Sequence, residues 1–355
     1  MNRSILSFHA ARFLATKAPA ALLLAGGLML GASLLFVPPV EAARDVSEML
    51  PTSEDVTPVT GKCDNYRCGC GDFCGCGSGC ACGSSTAPVT LRGATGFDSQ
   101  NVILRSRISV QDFGDYSGGN DCWGYVSPSG REYALMGLNE GTAVVEITDP
   151  FNPVIVGQIP HSSSPWSDVK VFGEYAYSVN ESSGGVQIID LTQVDQGVVS
   201  LVGNYTANGI NTNHNIAINP DSGYAYLCGS NAFNGGLIAL DLSNPTQPTF
   251  AGAYTAVYVH DAQIVSFDSG PYAGREIAFC FVGGSGLDIV DVTNKGNMVR
   301  LSRTPYSGLR YSHQGWFDPD RMVVHLNDEL DERDGFVSST TTRIFDVSSL
   351  TSPKL

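Results

Sequence analysis

Charge is scarce in this chain. Only 15% of its 355 residues are Asp, Glu, Lys or Arg, and the basic ones are outnumbered 20 to 35. The resulting formal net charge of −15 repels phosphate backbones and anionic headgroups, which speaks against nucleic acid as a partner. The short motifs of several common chemistries are also missing. There is no G-x-S-x-G nucleophile elbow, no Walker loop, no dinucleotide fingerprint and no H-E-x-x-H pair. A low charge fraction beside 40 Gly and 18 Pro disfavours a helical protein and fits sheets joined by tight turns. The length allows one large domain with extensions, or two ordinary domains.

The N-terminus reads as an export signal. Arg3, Arg12 and Lys17 precede a stretch from Ala18 to Val40 that carries no charge, and Val40-Glu41-Ala42 offers small residues for cleavage after Ala42. Residues 1–42 are therefore either a cleaved signal peptide or a signal anchor, since about 18–20 apolar residues suffice to cross a bilayer. The basic region is also long enough to raise an organellar presequence. The expected location is extracytoplasmic, with the membrane a partner only through an uncleaved segment 18–40.

Residues 43–100 read as a disordered linker, rich in Ser, Thr, Pro and acids at first, with no apolar period. Inside it, seven of the ten cysteines fall between positions 63 and 82. Cys68-Gly-Cys70, Cys74-Gly-Cys76 and Cys80-Ala-Cys82 repeat every six residues, with Cys63 outside the pattern. Two thiolates one residue apart can bite one soft ion, Zn or Cu, and glycine lets the backbone wrap around it. The spacing is similar to that of metallothioneins. A disulfide knot is the rival reading on the oxidising side of a membrane, and the odd count would leave one thiol over.

From residue 101 to 355 the sequence repeats itself. AVVEITD (143–149), VQIIDLT (186–192), LIALDLS (237–243), LDIVDVT (287–293) and RIFDVSS (343–349) share a β-branched run ending in aspartate or its equivalent. A second apolar strand precedes each, as in Tyr224-Ala225-Tyr226, and a third precedes that, as in NIAIN (215–219). NPVIVGQI (152–159) and QPTFAGAY (247–254) supply a fourth. Four short strands recurring every 41–55 residues predict an all-β fold, a β-propeller of four-stranded blades with five repeats visible.

WGYVSPSGREYALMGLNEGTAVVEITDPFNPVIVG (123–157), HNIAINPDSGYAYLCGS (214–230) and HQGWFDPDRMVVHLNDELDE (313–332) resemble the choice-of-anchor B family of LVIVD-repeat proteins. The resemblance spans about residues 101–355. It implies a bacterial surface propeller and no established reaction. Members of that family typically continue for about two more blades, whereas this sequence ends at Leu355 within its fifth repeat. Either the chain is truncated, or residues 101–110 close a smaller ring by pairing with the last repeat.

In a four-stranded blade, the start of the innermost strand and the loop between strands two and three share one face. On that face fall His214-Asn215, His260-Asp261 and His313-Gln314, along with the loops of Asn139-Glu140, Asn180-Glu181 and Asn327-Asp328-Glu329. Imidazoles and carboxylates converging at a channel mouth can hold Zn, Mn or Fe, and the carboxylates alone can hold Ca. Each histidine can equally well be structural, bonding a neighbouring blade's backbone and locking the ring. The candidate site is thus His214, His260, His313, Asp261, Asp328, Glu329, Glu181 and Glu140. Cys122, Cys228 and Cys280 read as small buried residues. Asn180 and Asn204 open glycosylation sequons.

Two functions fit. One is an exported binding propeller whose partner is an extracellular protein or a small molecule. The other is a metal-assisted hydrolase or lyase acting at the mouth. Export itself is open to a direct check: mass spectrometry of the mature protein is expected to find an N-terminus at or near Ala43, and intact Met1 in a cytosolic fraction contradicts it.

Overall fold

The computed structural model describes residues 90–92, 98–100, 102 and 104–355. The export signal (1–42) and the cysteine segment (63–82) lie outside the described residues. Within the span read as linker, β1 (Thr90–Arg92) pairs antiparallel with β2 (Asp98–Gln100).

Four four-stranded antiparallel sheets and one three-stranded sheet follow, each built from consecutive strands. Blade one holds β3 (Gly119–Val126), β4 (Glu132–Leu138), β5 (Gly141–Glu146) and β6 (Val154–Pro160). Blade two holds β7 (Ser167–Phe172), β8 (Tyr175–Asn180), β9 (Val186–Asp190) and β10 (Ser200–Tyr205). Blade three holds β11 (Asn215–Asn219), β12 (Tyr224–Cys228), β13 (Leu237–Asp241) and β14 (Thr249–Tyr254). Blade four holds β15 (Asp261–Phe267), β16 (Arg275–Phe281), β17 (Leu287–Asp291) and β18 (Val299–Thr304). Blade five has β19 (Ser312–Asp318), β20 (Val323–Asp328) and β21 (Thr342–Asp346). Beyond β21, Asp346 and Lys354 form one antiparallel bridge, the register position that Asp291 and Val299 occupy in blade four.

Residues 102 and 104–110 pair with no strand of blade five. Among the described residues its sheet order is β19-β20-β21. The upstream segment instead runs against blade one: the Arg105 guanidinium lies over the Phe151 ring, and Ser117 bonds Glu140. Two nearby arginines suit such a surface path better than a ladder position.

The core lies between blades, and it comes in four parts. Tyr125, Leu135 and Val144 of blade one meet Val169, Ala176 and Ile189 of blade two. Tyr177, Val179 and Ile188 meet Ile216, Ala225 and Leu227. Tyr226, Cys228 and Ala239 meet Ala262, Ala278 and Cys280. Phe279, Phe281 and Ile289 meet Phe317, Val324 and Phe345. Each large apolar side chain so buried contributes roughly 1.5–3 kcal/mol, so stacking on a neighbour is what makes a single sheet stable. Second-strand tyrosines reinforce the stacking, each reaching the next blade. Tyr133 donates to Asp195, Tyr177 to the Pro245 carbonyl and Tyr226 to Glu276. Cys228 and Cys280 are buried in this core as expected, but Cys122 is exposed.

The repeated sequence motif now has a mechanical meaning. Asp190, Asp241, Asp291 and Asp346 each accept a hydrogen bond from the backbone N–H two residues on, closing the turn that ends the third strand. Blade one has Glu146 at this position, paired with Arg131. The glycine before the third strand meets a different demand. A Cβ at Gly185, Gly236 or Gly286 would run into the carbonyl oxygen at the end of the fourth strand: Tyr205, Tyr254 and Thr304 respectively. Thr341 holds the equivalent place in blade five, where no fourth strand crowds it.

Gly236→Ala is therefore expected to lower stability by about 1–3 kcal/mol in urea unfolding. Thr341→Ala is expected to change it by less than about 0.5 kcal/mol, the range of a surface substitution. Equal effects would mean that close approach is not what keeps the glycine.

Candidate functional site at the channel mouth

Strand register aligns one pair of polar residues per blade at the start of the inner strand. The pairs are Asn120-Asp121, Ser167-Asp168, His214-Asn215, His260-Asp261 and His313-Gln314. Inner strands of consecutive blades lie side by side but belong to separate sheets, so their edge amides and carbonyls need other partners. The polar residues supply them. Asn120 Nδ2 donates to the Pro165 carbonyl at 3.1 Å, and Asp168 Oδ2 accepts the Ile216 N–H at 2.9 Å. Asn215 Nδ2 donates to the His260 carbonyl at 3.0 Å, and Gln263 Oε1 accepts the Phe317 N–H at 2.6 Å.

On this frame the three histidines of blades three to five come together. The ring centroids of His214 and His260 lie 4.2 Å apart, and those of His260 and His313 lie 4.4 Å apart. Glu181 stands at one end, its Oε1 2.6 Å from His214 Nδ1, and Glu329 at the other, its Oε2 3.8 Å from His313 Nε2. Both glutamate side chains are about two-fifths exposed, at 40% and 41%. His260 is buried between them, and its Nδ1 lies 2.8 Å from the His313 carbonyl oxygen. A carbonyl only accepts, so Nδ1 carries the proton and Nε2 is left as an acceptor.

Aromatic rings wall the stack. Trp166 meets His214 edge-on at 6.1 Å, and Tyr311 meets His260 edge-on at 5.3 Å. The Tyr258 and Tyr311 hydroxyls lie close enough to influence each other, and both feel the Glu181 charge. Gly229, at φ +62°, lets Tyr258 in: a Cβ there would lie 2.9 Å from the Tyr258 hydroxyl.

Burial, with the neighbouring His214 and His313, pushes His260 down to about 3. Burial also lowers His313, although the Glu329 charge opposes it. Asp261 is pushed up to about 6, chiefly by burial. Below it, the Lys170 ammonium bridges Asp168 and Asp121, whose carboxylates outweigh the burial that would otherwise favour the neutral amine. With His260 and His313 neutral, the rim carries the carboxylates of Glu181 and Glu329. Beneath them burial pushes the Asp168 carboxyl well above the usual carboxylate range, the Lys170 ammonium is shared between Asp168 and Asp121, and Arg333 lies near enough to Glu329 to feel its charge.

Other candidates go elsewhere. Asp328 is buried and accepts hydrogen bonds from Tyr306 Oη and from the backbone N–H groups of Arg310, Tyr311, Leu330 and Asp331. Burial pushes this carboxyl up, but those bonds outweigh it and hold it below the usual carboxylate range. Asp328 is thus a loop staple, with its acceptor capacity spent. Glu140 serves the upstream segment, accepting from Ser117 and Ser163. Asn180 is buried and bonded to Ser182 and Ser183, which makes it a poor glycosylation acceptor. Among the described residues, no three His, Cys, Asp or Glu side chains are arranged to hold a metal ion. The imidazoles are tilted against one another, by 55° and 38°, and the Nδ1 atoms of His214 and His260 are already engaged.

Asp121, Asp168 and Lys170 escaped the sequence reading, although Asn120-Asp121 and Ser167-Asp168 sit in the same register as the histidine pairs. Tyr258 and Tyr311 carried a plainer signal, since Tyr-x-His occurs at 258–260 and again at 311–313.

Comparison with known proteins agrees with this architecture. The LVIVD repeat model matches residues 221–256 and 278–303, strands two to four of blades three and four. The chain carries LVIVD repeats. No curated protein sequence matches it. Similar solved structures include hydrazine synthase from Kuenenia stuttgartiensis, at 13% identity and TM-score 0.40, covering 69% of this chain and 66% of that one. The periplasmic gluconolactonase PpgL of Pseudomonas aeruginosa is 12% identical with a TM-score of 0.45, over 63% and 65% of the two chains. The β-propeller domain of Cps50 (Swd1) from Myceliophteria thermophila is 13% identical with a TM-score of 0.41, over 66% and 68%. This LVIVD-repeat propeller thus spans slightly under two thirds of the first two, and at these identities the likeness reaches no further than fold.

The histidine stack has a pH signature. An unfolded chain protonates His260 near its ordinary 6.5, whereas the folded site resists down to about 3. The stability contributed by a neutral His260 is whole above pH 6.5 and declines as pH falls towards 3. Asp261 acts oppositely, because its folded value of about 6 exceeds the ordinary 3.8. Its contribution is full below 3.8 and is lost as pH rises through 6. Between pH 6.5 and 5, His260→Asn is expected to reduce the acid-induced loss of unfolding free energy by about 1.5 kcal/mol. Asp261→Asn is expected to make that loss steeper. Urea titrations at the two pH values check both signs.

Proposed function

We propose that this chain is an exported LVIVD-repeat propeller of the choice-of-anchor B type, and that it binds a small ligand at the channel mouth. The observation that carries the reading is the stack of His214, His260 and His313, drawn from three successive blades and ending in the half-exposed carboxylates of Glu181 and Glu329. Three ionisable rings gathered at one place, with carboxylates at the solvent-facing ends, make a recognition surface on a rigid frame.

Binding fits the geometry better than turnover does. His260 Nδ1 is spent on the His313 carbonyl and His214 Nδ1 on Glu181, so neither nitrogen is free to relay a substrate's proton. A metal-assisted hydrolase or lyase needs nitrogens converging on one point about 2.0–2.1 Å away, and two Nδ1 atoms of this trio are already committed elsewhere.

A thermal-shift panel of amines, divalent metal chlorides, sugars and carboxylates, run at pH 7.5, tests the reading. At one hundred times its Kd, a ligand of the mouth adds about 2.7 kcal/mol and raises Tm by several degrees. The Glu181→Gln/Glu329→Gln variant is expected to lose that rise while keeping its unliganded Tm. If no class shifts the wild type, or the variant responds equally, the mouth is not the binding site.

A further inference from the structure

Resting on the reading of the mouth as a binding site, we propose that its ligand carries an organic ammonium group, a protonated amine or a quaternary ammonium, ion-paired with Glu181 and seated against Trp166, His214 and Tyr258. Two independent features point the same way. The first is charge: Glu181 and Glu329 present half-exposed carboxylates, while the ammonium of Lys170 is already shared between Asp121 and Asp168. An anion would meet repulsion at the Glu181 end, whereas Glu329 has the Arg333 guanidinium within range. The second is aromatic surface. Trp166 is 36% exposed and Tyr258 is 38% exposed, large rings left facing solvent beside the same carboxylate. Aromatic faces around a carboxylate suit a bulky, weakly hydrated cation, for which cation–π contact contributes roughly 0.5–2 kcal/mol.

Hydrogen-bonding capacity agrees. His260 Nε2 is an acceptor, by the tautomer its Nδ1 bond requires. Asn213, wholly buried one residue before His214, leaves its Oδ1 without a donor. His260 Nε2 and Asn213 Oδ1 are thus acceptors left without a donor. A sugar brings hydroxyls that must both give and receive, and a metal ion wants converging lone pairs. An ammonium group brings positive charge and, when protonated, only donors.

The test uses the propeller with 13C-labelled histidine, observed by NMR at pH 7.5, with choline chloride, n-butylammonium chloride, zinc chloride, sodium acetate and glucose as separate probes. Choline or butylammonium is expected to move the His214 and His260 signals saturably. Glu181→Gln and Trp166→Leu, both at part-exposed positions, are each expected to weaken that binding at least tenfold while leaving Tm in place. If zinc, acetate or glucose moves those signals and neither ammonium does, the mouth binds but the ammonium assignment is wrong. If no probe moves them, the ammonium assignment and the binding reading both fall. Ammonium binding that survives Glu181→Gln unchanged also overturns the assignment.

Discussion

A propeller built of separate sheets has an unpaired strand edge on the inside of every blade. Those edges lie beside the inner strands of the neighbouring blades without joining their sheets, so their N–H and C=O groups need other partners. In this chain the partners are side chains from the neighbouring blade: Asn120, Asp168, Asn215, His260 and Gln263 each reach across to a backbone group in, or just before, the next inner strand. The need for those bonds explains why a polar pair recurs at the same register position in each blade. It also explains why the histidines meet. A residue that must cross to the next blade is held at the axis side of its own, and in three successive blades it lies beside an imidazole.

His260 shows how frame and site become one object. Its ring joins blade four to blade five through the His313 carbonyl, lies between two other imidazoles and is kept neutral by burial. A lysine or arginine there would bring a permanent charge into the wall, and an apolar residue would leave the carbonyl unbonded. Neutral imidazole satisfies the carbonyl and still offers a lone pair to the channel.

The fold was legible in the sequence because repetition multiplies a weak signal. One β-branched run ending in aspartate means little, but five at a regular period require equivalent surroundings, and each aspartate proved to close the same kind of turn. The arc of histidines was legible for the same reason, since equivalent positions in stacked blades must be neighbours. What failed was anything that depended on partners instead of period. Asp328 looked like a free carboxylate because sequence shows charge and hides the backbone N–H groups that converge on it. Glu140 occupied the right loop, but the segment before blade one claims it. Asp121 and Asp168 went unnoticed because Asn120 and Ser167 replace histidine in their blades. The apolar text of residues 101–110 read as a strand, although its arginines and Ser109 suit a turn capped by Asp112.

The placing of charge follows from what burial costs. A carboxylate inside a dry wall must be surrounded by donors, as Asp168 and Asp328 are, and is then unable to greet a ligand. One left at the rim keeps its hydration until something displaces the water. Glu181 and Glu329 stand at the rim, and between them burial keeps His260 and His313 uncharged. Arriving ligands meet the charge where desolvation is cheapest. A mouth arranged this way discriminates by sign first and by fit to the aromatic wall second, without needing any part of the frame to move.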